Sequence, residues 1–242
     1  MPTSTVTRRV ALAAAVVGAG LAVAWATAPS QPAIAQGNDA PPYADPGSEA
    51  MNQTAPDVFD AVFTVQTGDD TATFTVRTHR AWAPLGADRF YSLVKSGYFN
   101  DQRVFRVVPG FVAQFGIHGD PSVAAQWRRA QIADDPIRPD VSNTRGRVVF
   151  ANAGPDTRTT QLFINFGDNT FLDDPRAMRG SVFAPFGEVT EGMNAVDAIN
   201  SQYGEQPNQG AIQTQGNAYL DANFPELTRI VSAVVVDPDA AE

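Results

Sequence analysis

Residues 105–114 read FRVVPGFVAQ, two short apolar runs joined by Pro109-Gly110. Apolar residues at a period of two are typical of half-buried strands, and a Pro-Gly pair marks a turn between them. In this pattern Arg106 falls on the face opposite its apolar neighbours, where a solvated strand arginine would also lie. The same alternation sets Phe111 opposite Gln114, so the two can share one groove only if the chain bends after the turn.

Strand patterns continue on both sides of this stretch. Alternating apolar residues at 59–65 and 71–77, around a turn at 67–70, predict a hairpin. Further apolar runs predict strands at 104–108, 111–115, 148–151, 162–166, 182–189 and 229–236, with helices near 85–97 and 191–200. The spacing predicts a mainly β domain over 57–237, a closed eight-stranded antiparallel barrel capped by two α-helices. Two long irregular stretches, 117–145 and 201–227, interrupt it.

Composition excludes several classes of function. The chain has 242 residues and a net charge of −9, which argues against nucleic acid as a partner. It has no cysteine and only two histidines, His79 and His118, neither with a partner at ligand spacing. We therefore expect no metal and no cofactor. The acidic pairs Asp134-Asp135 and Asp173-Asp174 favour solvated loops over a weak calcium site.

The ends of the chain read differently from its middle. Residues 1–35 predict an export signal, with Arg8-Arg9 before an apolar run and a cleavage site at Ala33-Ile34-Ala35. An uncleaved membrane anchor is the alternative. Residues 36–56 predict a flexible linker, and 238–242 an acidic tail. We expect a periplasmic or secreted protein.

A second distinctive segment reads FANAGPDT at 150–157 and continues to QLFI at 161–164. With the first stretch, and with FGEV at 186–189 and EGM at 191–193, it makes the chain resemble a cyclophilin. Cyclophilins are the cyclosporin-binding class of peptidyl-prolyl cis-trans isomerases. The resemblance runs over roughly 57–237, and the segments fall in the family's order and spacing.

The resemblance implies roles for individual residues. Arg106 stands at the catalytic arginine, and Gln114 at the glutamine that helps to hold it and the substrate backbone. The implied substrate-binding residues are Phe111, Val112, Ala151, Asn152, Gln161, Phe163, Phe171, Leu172 and Phe183. Without the motifs, Phe111 and Phe163 would be read as core residues. Asn152 has the alternative of stabilising the turn before Gly154-Pro155.

Two positions depart from the best-known form of the family. Phe171 stands where cyclosporin-sensitive members have tryptophan, and Phe183 aligns with the usual pocket histidine. Loss of the indole N–H removes a hydrogen-bond donor, so we expect cyclosporin to bind weakly. Catalysis should survive, because neither position is the arginine.

These features predict a peptidyl-prolyl isomerase, expected to be a monomer, that acts on proline-containing polypeptides and assists protein folding outside the cytoplasm. One alternative is a proline-peptide binding or chaperone module that keeps the groove but has little turnover. A second is an unrelated exported β-barrel, in which Phe111 and Phe163 would line an interior void.

Overall fold

The structure, a computed structural model, describes residues 40–236. Its first large element is the expected hairpin, β1 (Val58–Thr67) and β2 (Asp70–His79). The strands pair from Thr67 and Asp70 outward, and the rings of Phe63 and Phe74 stack across the ladder with centroids 5.0 Å apart. Alternate side chains enter the core, so the period-two pattern identified this hairpin correctly.

Within the described residues the remaining elements are strands β3–β9 and helices α1–α5. The strands are Gln102–Arg103, Arg106–Val108, Val112–Phe115, Arg147–Phe150, Leu162–Asn165, Pro185–Glu191 and Arg229–Val236, in chain order. The helices are α1 (Pro84–Lys95), α2 (Pro121–Trp127), α3 (Met193–Asp197), α4 (Gln209–Gln215) and α5 (Asn217–Asn223).

The prediction of a mainly β, antiparallel fold is confirmed, but the closed eight-stranded barrel with two helices is wrong. Across residues 40–236 nine strands form one curled, open half-barrel in the order β3-β9-β1-β2-β8-β6-β7-β5-β4. The predicted strand 104–108 is the source of the error. It corresponds to β4 alone, whereas β3, a ninth strand that was not predicted, lies just before it. β3 and β4 stand at opposite ends of the strand order and do not pair with each other, so the sheet stays open.

The two long stretches expected to be irregular carry short helices. Helix α2 lies in the first stretch, capped by Asp120, whose carboxylate accepts a hydrogen bond from the Ser122 N–H at 2.7 Å. Helices α4 and α5 lie in the second. Each is only seven residues long, too short for an apolar period to stand out in the sequence.

The described part of the predicted linker, residues 40–56, packs on the domain. It forms 3₁₀ turns at Pro42–Ala44 and Glu49–Met51, and Met51 is only 1% exposed. The Trp127 indole N–H donates to the Tyr43 carbonyl at 2.7 Å. The predicted signal at 1–35 and tail at 238–242 lie outside the described residues. Within 40–236, none of the helices has the length and apolar character needed to cross a bilayer.

One carboxylate of each acidic pair is tied into the fold, whereas Asp174 is exposed as expected. Asp135 is buried, and its carboxylate accepts the N–H groups of Leu85 and Gly86 at 2.9 and 2.8 Å, at the start of α1. It also pairs with the buried Arg158 guanidinium at 3.0 Å. Asp173 accepts the Asn143 N–H at 2.9 Å. Asp135 and Asp173 therefore join distant segments, and the prediction of a solvated loop was wrong for these two carboxylates.

His118 gives the fold a pH dependence. Its ring lies between Tyr43 and Tyr98, each with its centroid 5.1 Å away, and burial lowers the pKa of His118 below its ordinary value. The unfolded chain thus binds this proton more tightly than the folded protein. We expect the free energy of unfolding to fall as pH drops through about 6.5, and to level off below the folded-state pKa.

Urea denaturation between pH 7.5 and 5.5 measures this slope. A His118→Asn variant retains an acceptor for the Asp120 N–H, which donates to His118 Nδ1 at 3.0 Å, but cannot titrate in this range. Its slope should be shallower than that of the parent protein. Equal slopes in the two proteins would assign the pH dependence to other groups.

Candidate active site

Three neighbouring strands carry the candidate polar and apolar residues side by side. Arg106 on β4 lies directly opposite Gln114 on β5, and Gln114 lies opposite Phe163 on β7. Their strand neighbours Val107, Ala113 and Ile164 point into the main core. Arg106, Gln114 and Phe163 therefore share the other face of the sheet.

An apolar pocket forms on this outer face, in a cluster separate from the main core. Val112, Val149, Phe163 and Leu172 are its buried members, and Phe111, Ala151, Met178 and Phe183 pack against them. The rings of Phe163 and Phe183 meet edge to face, with centroids 5.9 Å apart. This separation contradicts the alternative of a ligand-binding barrel, in which Phe111 and Phe163 would line an interior void.

The bend that the sequence required is present before β5. Gly110 has a φ of 74°, a conformation that costs glycine little, and the Phe111 N–H donates to the Val108 carbonyl at 2.9 Å. The Phe111 carbonyl is held twice, by the Phe166 N–H at 2.8 Å and by Asn169 Nδ2 at 2.9 Å. The Phe111 ring thus reaches the same groove as Gln114.

Arg106 is held by contacts on several sides. Its Nε and one terminal nitrogen lie 2.7 and 2.5 Å from Glu205 Oε1, and its other terminal nitrogen donates to Gln114 Oε1 at 3.3 Å. Gln114 in turn donates to Gln161 Oε1 at 2.9 Å. The guanidinium carbon lies 5.6 Å from the centroid of the Phe111 ring. A guanidinium has five N–H groups, so donors remain for a substrate.

Glu205 was missed by sequence reasoning. It lies 99 residues after Arg106, in a stretch without a recognisable motif. Its place is set by the backbone, because the Val107 N–H of edge strand β4 donates to the Gly204 carbonyl at 3.1 Å. The carboxylate is 64% exposed, whereas the arginine side chain is 24% exposed. Glu205 therefore orients Arg106 from the solvent side.

A buried amide network behind the pocket was also missed. Asn169 donates to Asn165 Oδ1 at 2.7 Å, and Asn165 donates to Asn143 Oδ1 at 3.3 Å. Asn143 donates to the Phe183 carbonyl at 2.8 Å. Single asparagines between strands resemble ordinary turn residues in a sequence. Here they fix the backbone at Phe111 and Phe183, two walls of the pocket.

All eleven residues named from the sequence line one cavity of about 620 Å³. Phe171 is 52% exposed and stacks on Phe111, with centroids 5.9 Å apart.

The Asn152 side chain donates to the Val182 carbonyl at 2.9 Å and accepts from the Gly154 N–H at 3.4 Å, as its turn-stabilising alternative required. Its own main-chain N–H and C=O have no partner within 40–236, so both are free for an extended peptide. The catalytic and binding roles of the eleven stay predictions.

Among residues 40–236, no three His, Asp or Glu side chains are grouped so that they could hold an ion. The site offers a fixed cation, amide groups and an apolar hollow, on the outside of an antiparallel half-barrel. Such a site has the chemistry to hold a compact apolar group of a peptide beside a guanidinium.

Comparison with known proteins agrees with this chemistry. The family model for cyclophilin type peptidyl-prolyl cis-trans isomerase/CLD matches residues 62–217. A peptidyl-prolyl cis-trans isomerase of Acinetobacter baylyi is 36% identical over 131 residues, which cover 52% of this chain and 68% of the relative. Peptidyl-prolyl cis-trans isomerase A of Dickeya dadantii is 34% identical over 49% of this chain and 60% of its own length. The peptidyl-prolyl cis-trans isomerase-like 1 protein of Aspergillus oryzae is 28% identical over 168 residues, which cover 68% of this chain and 89% of the relative.

The chain belongs to the cyclophilin-type peptidyl-prolyl cis-trans isomerase family. The resemblance stated from the sequence is thereby confirmed.

Proposed function

We propose that this protein accelerates rotation about X–Pro bonds in polypeptides outside the cytoplasm and so assists their folding. One observation carries the catalytic part of the proposal. The Arg106 guanidinium lines the same cavity as Phe111, Phe163 and Leu172, which form an apolar hollow suited to a proline ring. Catalysis of this rotation requires no nucleophile, general base or metal.

The chemistry follows from amide resonance. Rotation about an X–Pro bond must overcome a barrier of about 18–20 kcal/mol, because the partial double bond is lost in the twisted state. There the proline nitrogen becomes pyramidal and regains a lone pair. An N–H of Arg106 can donate to that lone pair, which is delocalised in the planar ground state. The bond is therefore stronger in the transition state, which is the condition for catalysis.

The magnitudes show that Arg106 does not act alone. A rate gain on the order of 10⁴ requires the barrier to fall by about 5.5 kcal/mol. One charge-assisted hydrogen bond supplies about 1.5–3 kcal/mol. The remainder is assigned to the aromatic wall, which excludes water, and to the peptide main chain being held while its proline ring is gripped. Glu205 and Gln114 contribute by keeping the guanidinium in place before substrate arrives.

Magnetisation-exchange NMR on an Ala-Ala-Pro-Phe peptide tests the activity without a coupling protease. The full chain should make cis–trans exchange much faster than the uncatalysed reaction, which takes tens to hundreds of seconds. We expect cyclosporin to inhibit only weakly, because Phe171 lacks the indole N–H donor. Inhibition at nanomolar cyclosporin would contradict the importance given to Phe171, and no acceleration would contradict the proposed function.

The extracytoplasmic part of the proposal is supported by the sequence of the first 35 residues. Arg8-Arg9, the apolar run that follows and Ala33-Ile34-Ala35 have the order of an export signal. Residues 1–40 fused to an alkaline phosphatase that folds only outside the cytoplasm should give active enzyme in a bacterial host. A fusion with Arg8 and Arg9 replaced by glutamate is the control. If both fusions gave only background phosphatase activity, export by these residues would be contradicted.

A further inference from the structure

The cavity extends beyond the apolar pocket into a polar region that the reaction does not require. This polar region is built by the end of α2, the segment after it, the segment between β6 and β7, and α4. Its residues are Arg128, Gln131, Thr157, Thr159, Gln209 and Gln213. A volume of about 620 Å³ lies within the range of pockets that hold drug-sized ligands, so it accepts side chains on either side of a proline as well as the ring.

Helix α4 presents two amide side chains to this region. Asn208 caps the helix by accepting the Ala211 N–H at 3.0 Å, and Gln209 and Gln213 follow one turn apart on one face. Ile212 is buried on another face, in a cluster with Ala124 of α2. The helix ends at Gly216, where a Cβ would come within 1.9 Å of the Gly119 carbonyl. Packing therefore holds α4 against the segment that leads into α2.

The backbone that carries Arg128 and Gln131 is also fixed. The Arg128 N–H donates to the Ala124 carbonyl at 3.0 Å, and the Ile132 N–H donates to the Arg158 carbonyl at 2.9 Å. Between them the Ala130 carbonyl accepts a hydrogen bond from the buried Arg89 guanidinium at 2.8 Å. Arg128 thus has an exposed side chain on an ordered backbone.

The charges in the cavity are unbalanced. Two arginines and no carboxylate line it. Arg106 is neutralised by Glu205, but within residues 40–236 no Asp or Glu forms an ion pair with Arg128. The amide side chains of Gln209 and Gln213 line the same cavity, and their N–H groups can donate to an acceptor. An unpaired cation beside amide groups is complementary to a carboxylate, which a guanidinium can bind through two parallel hydrogen bonds.

We propose that Arg128, with Gln209 and Gln213, forms a subsite for an acidic side chain of the substrate close to the isomerised proline. The protein would then prefer X–Pro segments that carry Asp or Glu near the proline. The net charge of −9 does not prevent this, because at physiological salt charges more than about 8 Å apart are largely screened. The expected preference in isomerisation rests on the proposed function, whereas the expected preference in peptide binding does not.

Matched peptides that carry Glu, Gln or Lys near one proline test the subsite. The variable residue is placed in turn at each of the two positions before and after the proline. Exchange NMR gives kcat/KM, and chemical-shift titration of the full-length protein gives Kd. At one or more positions on one side of the proline, we expect the Glu peptide to exceed the Gln peptide by about two- to five-fold in both measurements. The advantage should decline as salt is raised.

Variants of the protein separate this subsite from general charge effects. Arg128→Gln should reduce the Glu-to-Gln ratio to about one, and Arg128→Glu should shift preference toward the Lys peptide. Arg129→Gln removes the same charge from the adjacent, exposed residue, which does not line the cavity, and should leave the ratio as it was. Equal ratios in the parent protein and Arg128→Gln would overturn the proposal. If the Glu-to-Gln ratios of peptide affinity followed these expectations but no isomerisation were detected, the proposed function would be overturned and the subsite would stand.

Discussion

Replacing Arg106 with alanine is expected to lower kcat/KM for a proline peptide by about 10- to 150-fold, the equivalent of one charge-assisted hydrogen bond. The reason is that the bond to the proline nitrogen exists only in the twisted state. Peptide affinity should change little, since the apolar pocket is built by Phe163, Leu172 and Val112 and not by the arginine. A loss in kcat with a retained Kd is the signature of an interaction made in the transition state.

Exchange NMR gives the rate, and titration of the same peptide gives Kd. Arg229→Ala is the matched control, because Arg229 is also a strand arginine in an exposed ion pair, 2.6 Å from Asp101, but lies outside the cavity. Its activity should equal that of the parent protein. Equal, negligible activity in the parent and Arg106→Ala proteins would favour the alternative of a binding or chaperone module. Full activity in Arg106→Ala would remove the arginine from the mechanism.

The part of the site that the sequence predicted consists of residues whose positions follow from local pattern. Arg106, Gln114 and Phe163 lie on three strands that pair in register, so alternation alone fixes their common face. Phe111 needed a bend, and Pro109-Gly110 supplied a local signal for it. The family resemblance then gave these residues roles that alternation cannot give.

Other parts of the site depend on long-range contacts and have no local signal. Glu205 reaches Arg106 only because the Gly204 carbonyl accepts a hydrogen bond from an edge strand. Arg128 and Gln213 share a cavity because Ala124 and Ile212 pack together, and each of those residues is unremarkable in its own segment. The closed barrel was predicted wrongly for the same reason, since pairing at sheet edges is decided by tertiary contacts.

Asp135 shows how large the energy of one such long-range contact can be. The acidic pair to which it belongs suggested a solvated loop, yet its carboxylate is 1% exposed and faces an Arg158 side chain that is 2% exposed. It also replaces the missing side-chain cap of α1, since Ala83 at the N-cap offers no acceptor. Replacing this carboxylate by an amide would leave a buried guanidinium short of its counter-charge, and one of the two helix N–H groups would face an NH₂ group instead of an acceptor.

We therefore expect Asp135→Asn to reduce the free energy of unfolding by about 3–5 kcal/mol, a large share of the roughly 5–15 kcal/mol typical of a folded domain. Urea denaturation followed by tryptophan fluorescence measures the change. Asp140→Asn is the matched control, because Asp140 pairs with Arg138 at 2.9 Å on the surface and should contribute little. If both variants unfolded at the urea midpoint of the parent protein, Asp135 would have no special part in joining α1 to the segment that carries Arg158. If Asp140→Asn lost as much stability as Asp135→Asn, burial would not be the reason.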